Sequence, residues 1–213
     1  LMQPADIVAL VSLGSSLTLN QDFTSDKKSL LRGVSRYNGS EGQGFAQGDN
    51  GPGRNASEDA SGYKPDESEY NSINTDRELF AIAAVAKSLG SINQKKSLLY
   101  FSGGLARSGI ENQASLRAVV NASVRANLSI YSVDTRGLEA ISPLSDATKG
   151  SLRGTGAFNG SALQSNMDAN FSSQETLSTL SADTGGKAFL DSNDFAPAFQ
   201  RIQQDTSAYY AIG

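Results

Sequence analysis

Two short apolar segments of the chain are each followed by small or polar residues that could bind a ligand. These residues are Ser102, Gly103, Gly104, Asp134, Thr135 and Arg136. Each segment is rich in β-forming residues, which is typical of a buried strand in a parallel α/β sheet. In such sheets, ligands lie at the carboxyl ends of the strands. The spacing therefore predicts that these residues form one ligand-binding rim.

The available residue types restrict the catalysis that such a rim could perform. The chain contains no His and no Cys. The usual general base, the Ser and Cys triads, and nearly all zinc sites depend on these residues. Catalysis would have to use carboxylates, Lys or Tyr, so we expect that the protein is not an enzyme. The alternative is a hydrolase or transferase that uses rim carboxylates, and it requires an acid with a shifted pKa near Asp134.

Charge and hydropathy restrict the partners. The net charge is -4, the sequence pI is about 4.9, and the 18 Lys and Arg residues are scattered along the chain. This pattern provides no positive stripe for nucleic acid. No run of about eighteen apolar residues is present, so we expect no membrane insertion within this segment.

The elements before the first apolar segment are predicted from periodicity. An antiparallel hairpin is expected over Asp6 to Phe23, with its turn at Gly14 and Ser15. A surface helix with N-cap chemistry is expected over Ser25 to Tyr37. Residues 38–71 contain few aliphatic side chains and are expected to form a long mobile loop.

The elements around the rim form a β-α-β pattern. A helix is expected over residues 74–91, where Thr75 and Glu78 have capping-box spacing. It is followed by a strand, a helix and a second strand, at residues 96–104, 112–127 and 128–137.

The rest of the chain is expected to hold a second long loop and a compact end. The loop covers about residues 138–172, and a helix then begins at a Ser172–Glu175 capping box and ends at Gly185 and Gly186. The last elements are a strand at 187–191, a helix capped by Asp194 and a strand at 208–213.

Several phrases of the sequence are similar to one family. They are DIVALVSLG, NTDRELFAIAAVAKSLGSINQKKSLLYFSGG, IYSVDTRGL and ETLSTLSADTGGKAFLDSNDFAPAFQRI followed by SAYYAIG. The chain resembles the von Willebrand factor type A-like domains of the bacterial, mainly acidobacterial, VWFA-related group. The resemblance implies one domain over residues 1–213, a three-layer α/β/α sandwich with a mostly parallel, doubly wound sheet and an antiparallel edge hairpin. The family's first strand and helix would lie before Leu1, which would leave a gap at the centre of the sheet.

The resemblance also implies a metal-ion-dependent adhesion site in many family members. Its Asp-x-Ser-x-Ser motif is absent here, and the Asp of its third loop corresponds to Gly103. Thr75 falls at the second-loop Thr, although a capping role also explains it. Ser102 and Asp134 could complete a Mg²⁺ or Mn²⁺ site if an upstream segment supplied the motif, although an Asp at this position more often caps its own loop. Our hypothesis is a degenerate or metal-free site.

The functional expectation follows from the resemblance. It implies a non-enzymatic module for protein–protein recognition or adhesion, in a secreted, periplasmic or outer-envelope bacterial protein. The partner is an unidentified protein that binds a rim formed by Thr75, Ser102 to Leu105 and Asp134 to Leu138. A structural scaffold domain is the alternative.

Overall fold

The computed structural model describes most of the chain, in two compact units. One unit comprises Leu1–Ala46 with Phe199–Gly213, and the other comprises Gln47–Ala198. The described residues are 2, 3, 5–14, 16–37, 67–105, 109–136 and 161–207. The fold is mixed α/β, as predicted. The expectation of a single domain stays a prediction. Residues 38–66 and 138–160 of the two expected loops, and the strand expected at 208–213, lie outside the described residues.

The first unit contains the predicted hairpin and surface helix. Strands β1 (Val8–Leu13) and β2 (Leu17–Thr24) pair antiparallel, and α1 spans Lys27–Arg36. The carboxylate of Asp26 accepts hydrogen bonds from the amides of Lys28 and Ser29, at 3.0 and 3.1 Å, which satisfies two donors at the start of the helix. The predicted hairpin and surface helix are confirmed. In the described residues the two strands form a sheet of their own, so the expected place of the hairpin at the edge of the parallel sheet stays a prediction.

The second unit is built on a parallel sheet with the strand order β3-β4-β5. The strands are β3 (Lys96–Ser102), β4 (Leu128–Asp134) and β5 (Ala188–Phe189). Helix α3 (Gly109–Arg125) connects β3 to β4, so the predicted β-α-β unit is confirmed. Every residue of β4 is buried, as expected for a strand with neighbours on both sides.

Two long helices begin well before the residues predicted to cap them. Helix α2 spans Glu67–Ser88 and α4 spans Ser161–Asp183, while α5 spans Ala196–Ser207. Thr75 and Ser172 therefore lie inside helices, and both capping-box predictions are wrong. The reason is that capping-box spacing is also the i, i+3 spacing of a helix face. Thr75 and Glu78 are both buried on such a face. The ends of the two predicted loops are wrong as well, because residues 67–71 and 161–172 are helical.

The core of the second unit lies between the helices and one face of the sheet. It joins apolar side chains of α2, α3, β4 and α4, which are Leu79, Ile82, Ala83, Leu116, Val119, Ile130, Leu177 and Leu180, with Leu105 from the segment after β3. This packing fixes the carboxyl end of β3 against α2 and α4.

Helix α4 is also attached to β4 by hydroxyl groups near its end. The amide of Ile130 donates to Thr184 Oγ1 at 3.1 Å, and the amide of Ser132 donates to Ser181 Oγ at 3.2 Å. Gly185 then adopts a φ of 77°, a left-handed conformation that glycine accepts without strain. The predicted helix end is confirmed.

Among the residues that the structure describes, no helix is long and apolar enough to cross a membrane.

Candidate functional site

The carboxyl ends of β3 and β4 meet at one edge of the sheet. Ser102 pairs with Asp134 in the parallel register. The amide and the hydroxyl of Thr135 both donate to the Ser102 carbonyl oxygen, at 2.8 and 2.9 Å. Six of the seven predicted rim residues therefore belong to two adjoining segments, Ser102–Leu105 and Asp134–Arg136, which we call the carboxyl edge. The seventh, Thr75, is buried within α2.

The segment after β3 makes a tight turn. The Gly104 amide donates to Ser102 Oγ at 3.1 Å, and the Leu105 amide donates to Ser173 Oγ of α4 at 2.8 Å. Gly104 has a φ of 127°, which side-chain-bearing residues rarely adopt. Gly103 is exposed, and among the described residues beyond its chain neighbours no atom lies within 4 Å of the position of an added Cβ. The turn therefore exposes Gly103 to solvent, while these hydrogen bonds hold the backbone on either side of it in place.

Arg136 occupies both carboxylate oxygens of Asp134. Asp134 Oδ1 accepts from the Arg136 amide at 3.0 Å and from Nε at 2.9 Å, and Oδ2 accepts from a terminal guanidinium nitrogen at 2.6 Å. The same guanidinium donates to Asn170 Oδ1 at 2.7 Å and to Ser173 Oγ at 3.2 Å. The Asp134 side chain is 3% exposed. This buried ion pair neutralises Asp134 and ties the end of β4 to α4.

A second polar cluster connects α2 with the same edge. Glu78 is buried, and its carboxylate accepts a hydrogen bond from the Tyr100 hydroxyl. Burial raises the pKa of Glu78 to about 7, and the hydrogen bond from Tyr100 acts in the opposite direction. Burial, together with the Glu78 charge, raises the pKa of Tyr100, while a hydrogen bond with the Ser102 side chain lowers it. A chain of contacts therefore runs from Glu78 through Tyr100 to Ser102.

Sequence reasoning identified Ser102 but missed Glu78 and Tyr100 as site residues. A signal was present, because Glu78 lies four residues before Ile82 on the apolar stripe of α2. A carboxylate at a core position of a helix must be paired or must change its pKa. The capping interpretation concealed this signal.

The three predicted metal ligands lie on three separate elements. Thr75 is buried within α2, Ser102 ends β3 and Asp134 ends β4. Asp134 is the only carboxylate of the three, and both its oxygens already accept from Arg136. Two neutral hydroxyls cannot replace the charge that a hard divalent cation requires. Within the described ranges, no group of three or more acidic residues could hold a metal ion. These residues do not fit a Mg²⁺ or Mn²⁺ site.

Comparison of the chain with family models, with curated proteins and with solved structures gave no match. The resemblance to the VWFA-related group therefore stays a prediction from the sequence phrases.

Proposed function

We propose that the chain is a non-enzymatic protein-recognition module with a von Willebrand factor A-like, three-layer fold, and that it binds its partner at the carboxyl edge without a metal ion. The proposal places the module in a secreted or envelope-associated bacterial protein. This location rests on the sequence resemblance alone.

The observation that carries the proposal is the contrast between exposed and fixed groups at the carboxyl edge. Gly103 and Thr135 are exposed, whereas Ser102 and Asp134 beneath them are buried and hydrogen-bonded. Binding to such a surface requires little ordering of the backbone, so less free energy is lost on association. The pairing of Asp134 with Arg136 supports recognition without a metal.

A hydrolase or transferase is the second candidate. It required an acid with a shifted pKa near Asp134, and Glu78, with a pKa of about 7, meets part of that requirement. Glu78 is only 7% exposed, however, and its carboxylate bonds to Tyr100. A general base must come within hydrogen-bond reach of its substrate, so this burial favours recognition over catalysis.

Site-specific photocrosslinking tests the proposal. A benzoyl-phenylalanine replaces Gly103 or Thr135 in the full chain, expressed in the bacterium that makes it. The control position is Val124, which is 60% exposed and lies near the end of α3, at the amino end of the sheet.

We expect one protein to be crosslinked from both edge positions, not from Val124, and equally with and without EDTA. Equal labelling from all three positions would overturn recognition at this edge. Loss of the crosslink in EDTA would overturn recognition without a metal.

A further inference from the structure

A line of buried hydrogen-bonding groups, which we call the Glu78 relay, connects α2 with the turn after β3. The Tyr100 hydroxyl donates to the Glu78 carboxylate and also forms a hydrogen bond with the Ser102 side chain. Ser102 Oγ in turn accepts from the Gly104 amide at 3.1 Å. Glu78 and Ser102 are only 7% and 3% exposed, so water has little access to compete for these bonds. The relay therefore ends within the carboxyl edge, beside Gly103.

The charge of Glu78 sets the direction of the hydrogen bonds in the relay. A carboxylate only accepts, so the Tyr100 proton points to Glu78. The Tyr100 oxygen then accepts from the Ser102 hydroxyl, and such a donor lowers the pKa of Tyr100 against the larger effect of burial. A lone pair of Ser102 Oγ remains for the Gly104 amide. With Glu78 charged, each of the three protons in the relay has an acceptor.

A neutral Glu78 carries a proton that it can donate to the Tyr100 oxygen. The Tyr100 proton then turns to Ser102 Oγ, and the Ser102 proton loses its acceptor. Among the described residues, the Ser102 hydroxyl forms hydrogen bonds only with Tyr100 and the Gly104 amide. A buried hydroxyl proton without an acceptor is unfavourable, and here the neighbouring Gly104 amide is another donor. The turn at Gly103 and Gly104 is therefore held less firmly.

We propose that protonation of Glu78 reverses the hydrogen bonds of the relay, loosens the Gly103–Gly104 turn and thereby weakens recognition at the carboxyl edge. The inference rests on the proposed recognition function and adds its regulation. Burial raises the pKa of Glu78 to about 7. The partner should therefore bind more weakly as the pH falls through that value.

Tyr100 is the one titratable group that acts on the Glu78 carboxylate in the part of the chain that the structure describes. On α2, the Asp76 carboxylate instead accepts from Asn112 Nδ2 of α3 at 2.8 Å. At the end of β4, Asp134 is paired with Arg136. Charged side chains on the surrounding elements are exposed or bond elsewhere: Arg77 of α2, Lys96 of β3, Arg117 and Arg125 of α3, and Asp168 and Glu175 of α4. Protonation of Glu78 is therefore set by burial and by its bond to Tyr100.

Amide hydrogen exchange in the free chain tests the first step. NMR measures the protection factor of the Gly104 amide, which removes the intrinsic effect of pH on the exchange rate. We expect protection to be about fivefold lower at about pH 5.5 than at about pH 8, which corresponds to the loss of one hydrogen bond. Glu78→Gln has a neutral side chain at both pH values and should show no change.

Tyr100→Phe separates the relay from a general effect of pH on the fold. It removes the middle group of the relay while Glu78 still titrates. In this variant, Gly104 protection should not depend on pH, although the stability of the fold should. Ser102→Ala interrupts the next contact and serves the same purpose if Tyr100→Phe does not fold. Far-UV circular dichroism checks folding.

Photocrosslinking from benzoyl-phenylalanine at Thr135 tests the effect on recognition. The purified full chain, at limiting concentration, is added to extracts of the producing bacterium at the same two pH values. We expect the crosslink yield at about pH 5.5 to be about one fifth of the yield at about pH 8. Glu78→Gln and Tyr100→Phe in the same background should lose this dependence. Any titration of the partner itself would appear equally in these variants.

Three results would overturn the inference. Equal Gly104 protection at both pH values would mean that neutral Glu78 still accepts from Tyr100. An unchanged pH dependence of Gly104 protection in Tyr100→Phe or Ser102→Ala would mean that the relay does not carry it. A looser turn with an undiminished crosslink would mean that recognition is not regulated by Glu78. Absence of the crosslink at both pH values would instead overturn the recognition function, while the Gly104 measurement would still decide whether Glu78 controls the turn.

Discussion

Arg136 determines what the Asp134 carboxylate can do. Without Arg136, Asp134 would be a buried charge at the end of a buried strand. Its carboxylate could then bind a cation or take part in proton transfer. With Arg136, both oxygens are satisfied and α4 is linked to the sheet. Because of this ion pair, Asp134, a candidate metal ligand in the sequence, makes a structural contact in the folded chain.

Loss of Arg136 should destabilise the fold strongly. Arg136→Ala leaves Asp134 buried without its cation, which typically lowers the free energy of unfolding by about 3–5 kcal/mol. The control is Arg201→Ala, since Arg201 forms an i, i+4 ion pair with Asp205 and its side chain is 51% exposed. We expect a loss below about 1 kcal/mol for the control in urea denaturation. Similar losses in both variants would contradict the structural role of the Asp134–Arg136 pair.

Glu78 should make stability depend on pH. Its pKa is about 7 in the folded chain and 4.5 in the reference state, so the folded chain binds more protons between these values. Stability is therefore highest below about pH 4.5 for this group and falls as pH rises to about 7. Between about pH 5 and pH 8 we expect the wild type to lose about 2 kcal/mol more than Glu78→Gln.

Urea denaturation at both pH values measures this difference in the free energy of unfolding. Tyr100→Phe is the informative companion, because it removes the hydrogen bond that lowers the Glu78 pKa. In that variant, the loss of stability should continue to a higher pH. A wild type and a Glu78→Gln variant with parallel pH profiles would show that Glu78 is not the titrating group.

At the scale of elements, the end of α4 determines how closely the helix returns to the sheet. Gly186 follows the helix and passes beside β4, where an added Cβ would lie 1.9 Å from the Ile130 carbonyl oxygen. Backbone atoms cannot move away as a flexible side chain can. Only glycine fits between α4 and β5 at this distance.

Gly186→Ala should therefore lower the free energy of unfolding by more than about 3 kcal/mol, beyond the usual cost of overpacking. Gly90→Ala is the matched control, because in the described part of the chain no atom beyond its immediate neighbours lies within 4 Å of its added Cβ. We expect a change below about 1 kcal/mol there. Thermal or urea denaturation measures both. A small effect at Gly186 would contradict the close approach of this segment to β4.

The same elements show where local patterns mislead. Thr75 with Glu78, and Ser172 with Glu175, have the spacing of helix starts, yet both pairs lie inside helices. Thr176 illustrates the alternative for a hydroxyl in mid-helix, since its Oγ1 donates to the Ser172 carbonyl at 2.8 Å. A capping motif predicts a helix nearby more securely than it predicts where that helix begins.

At the scale of the whole molecule, recognition without a metal predicts that divalent cations leave stability unchanged. The melting temperature of the full chain should shift by less than about 1 °C in millimolar Mg²⁺, Mn²⁺ or Ca²⁺. A cation that bound only the folded state would stabilise that state and raise the melting temperature. Gly103→Asp is the comparison variant, as it adds a carboxylate at an exposed position with open space. A clear rise in the melting temperature of the wild type would restore the metal-site hypothesis.

The sequence by itself determined the elements that depend on neighbouring residues. The hairpin, the α1 helix, the β-α-β unit around α3 and the glycine end of α4 all follow from apolar periodicity and turn chemistry, which act over a few residues. The absence of His and Cys likewise excluded, from the sequence alone, the catalytic triads and most zinc sites, which depend on these residues. The carboxyl edge was predictable because parallel strands bring their ends together.

The tertiary structure decided which of those residues have partners. Tyr100 reaches Glu78 across 22 positions, Arg136 reaches Asn170 across 34, and Gly186 meets Ile130 between two elements. Such pairings depend on how helices cross the sheet, and that geometry is set by the packing of the whole core rather than by local propensity. For this reason, the sequence predicted where the edge lies, and only the folded chain showed that its carboxylate, Asp134, is already paired with Arg136.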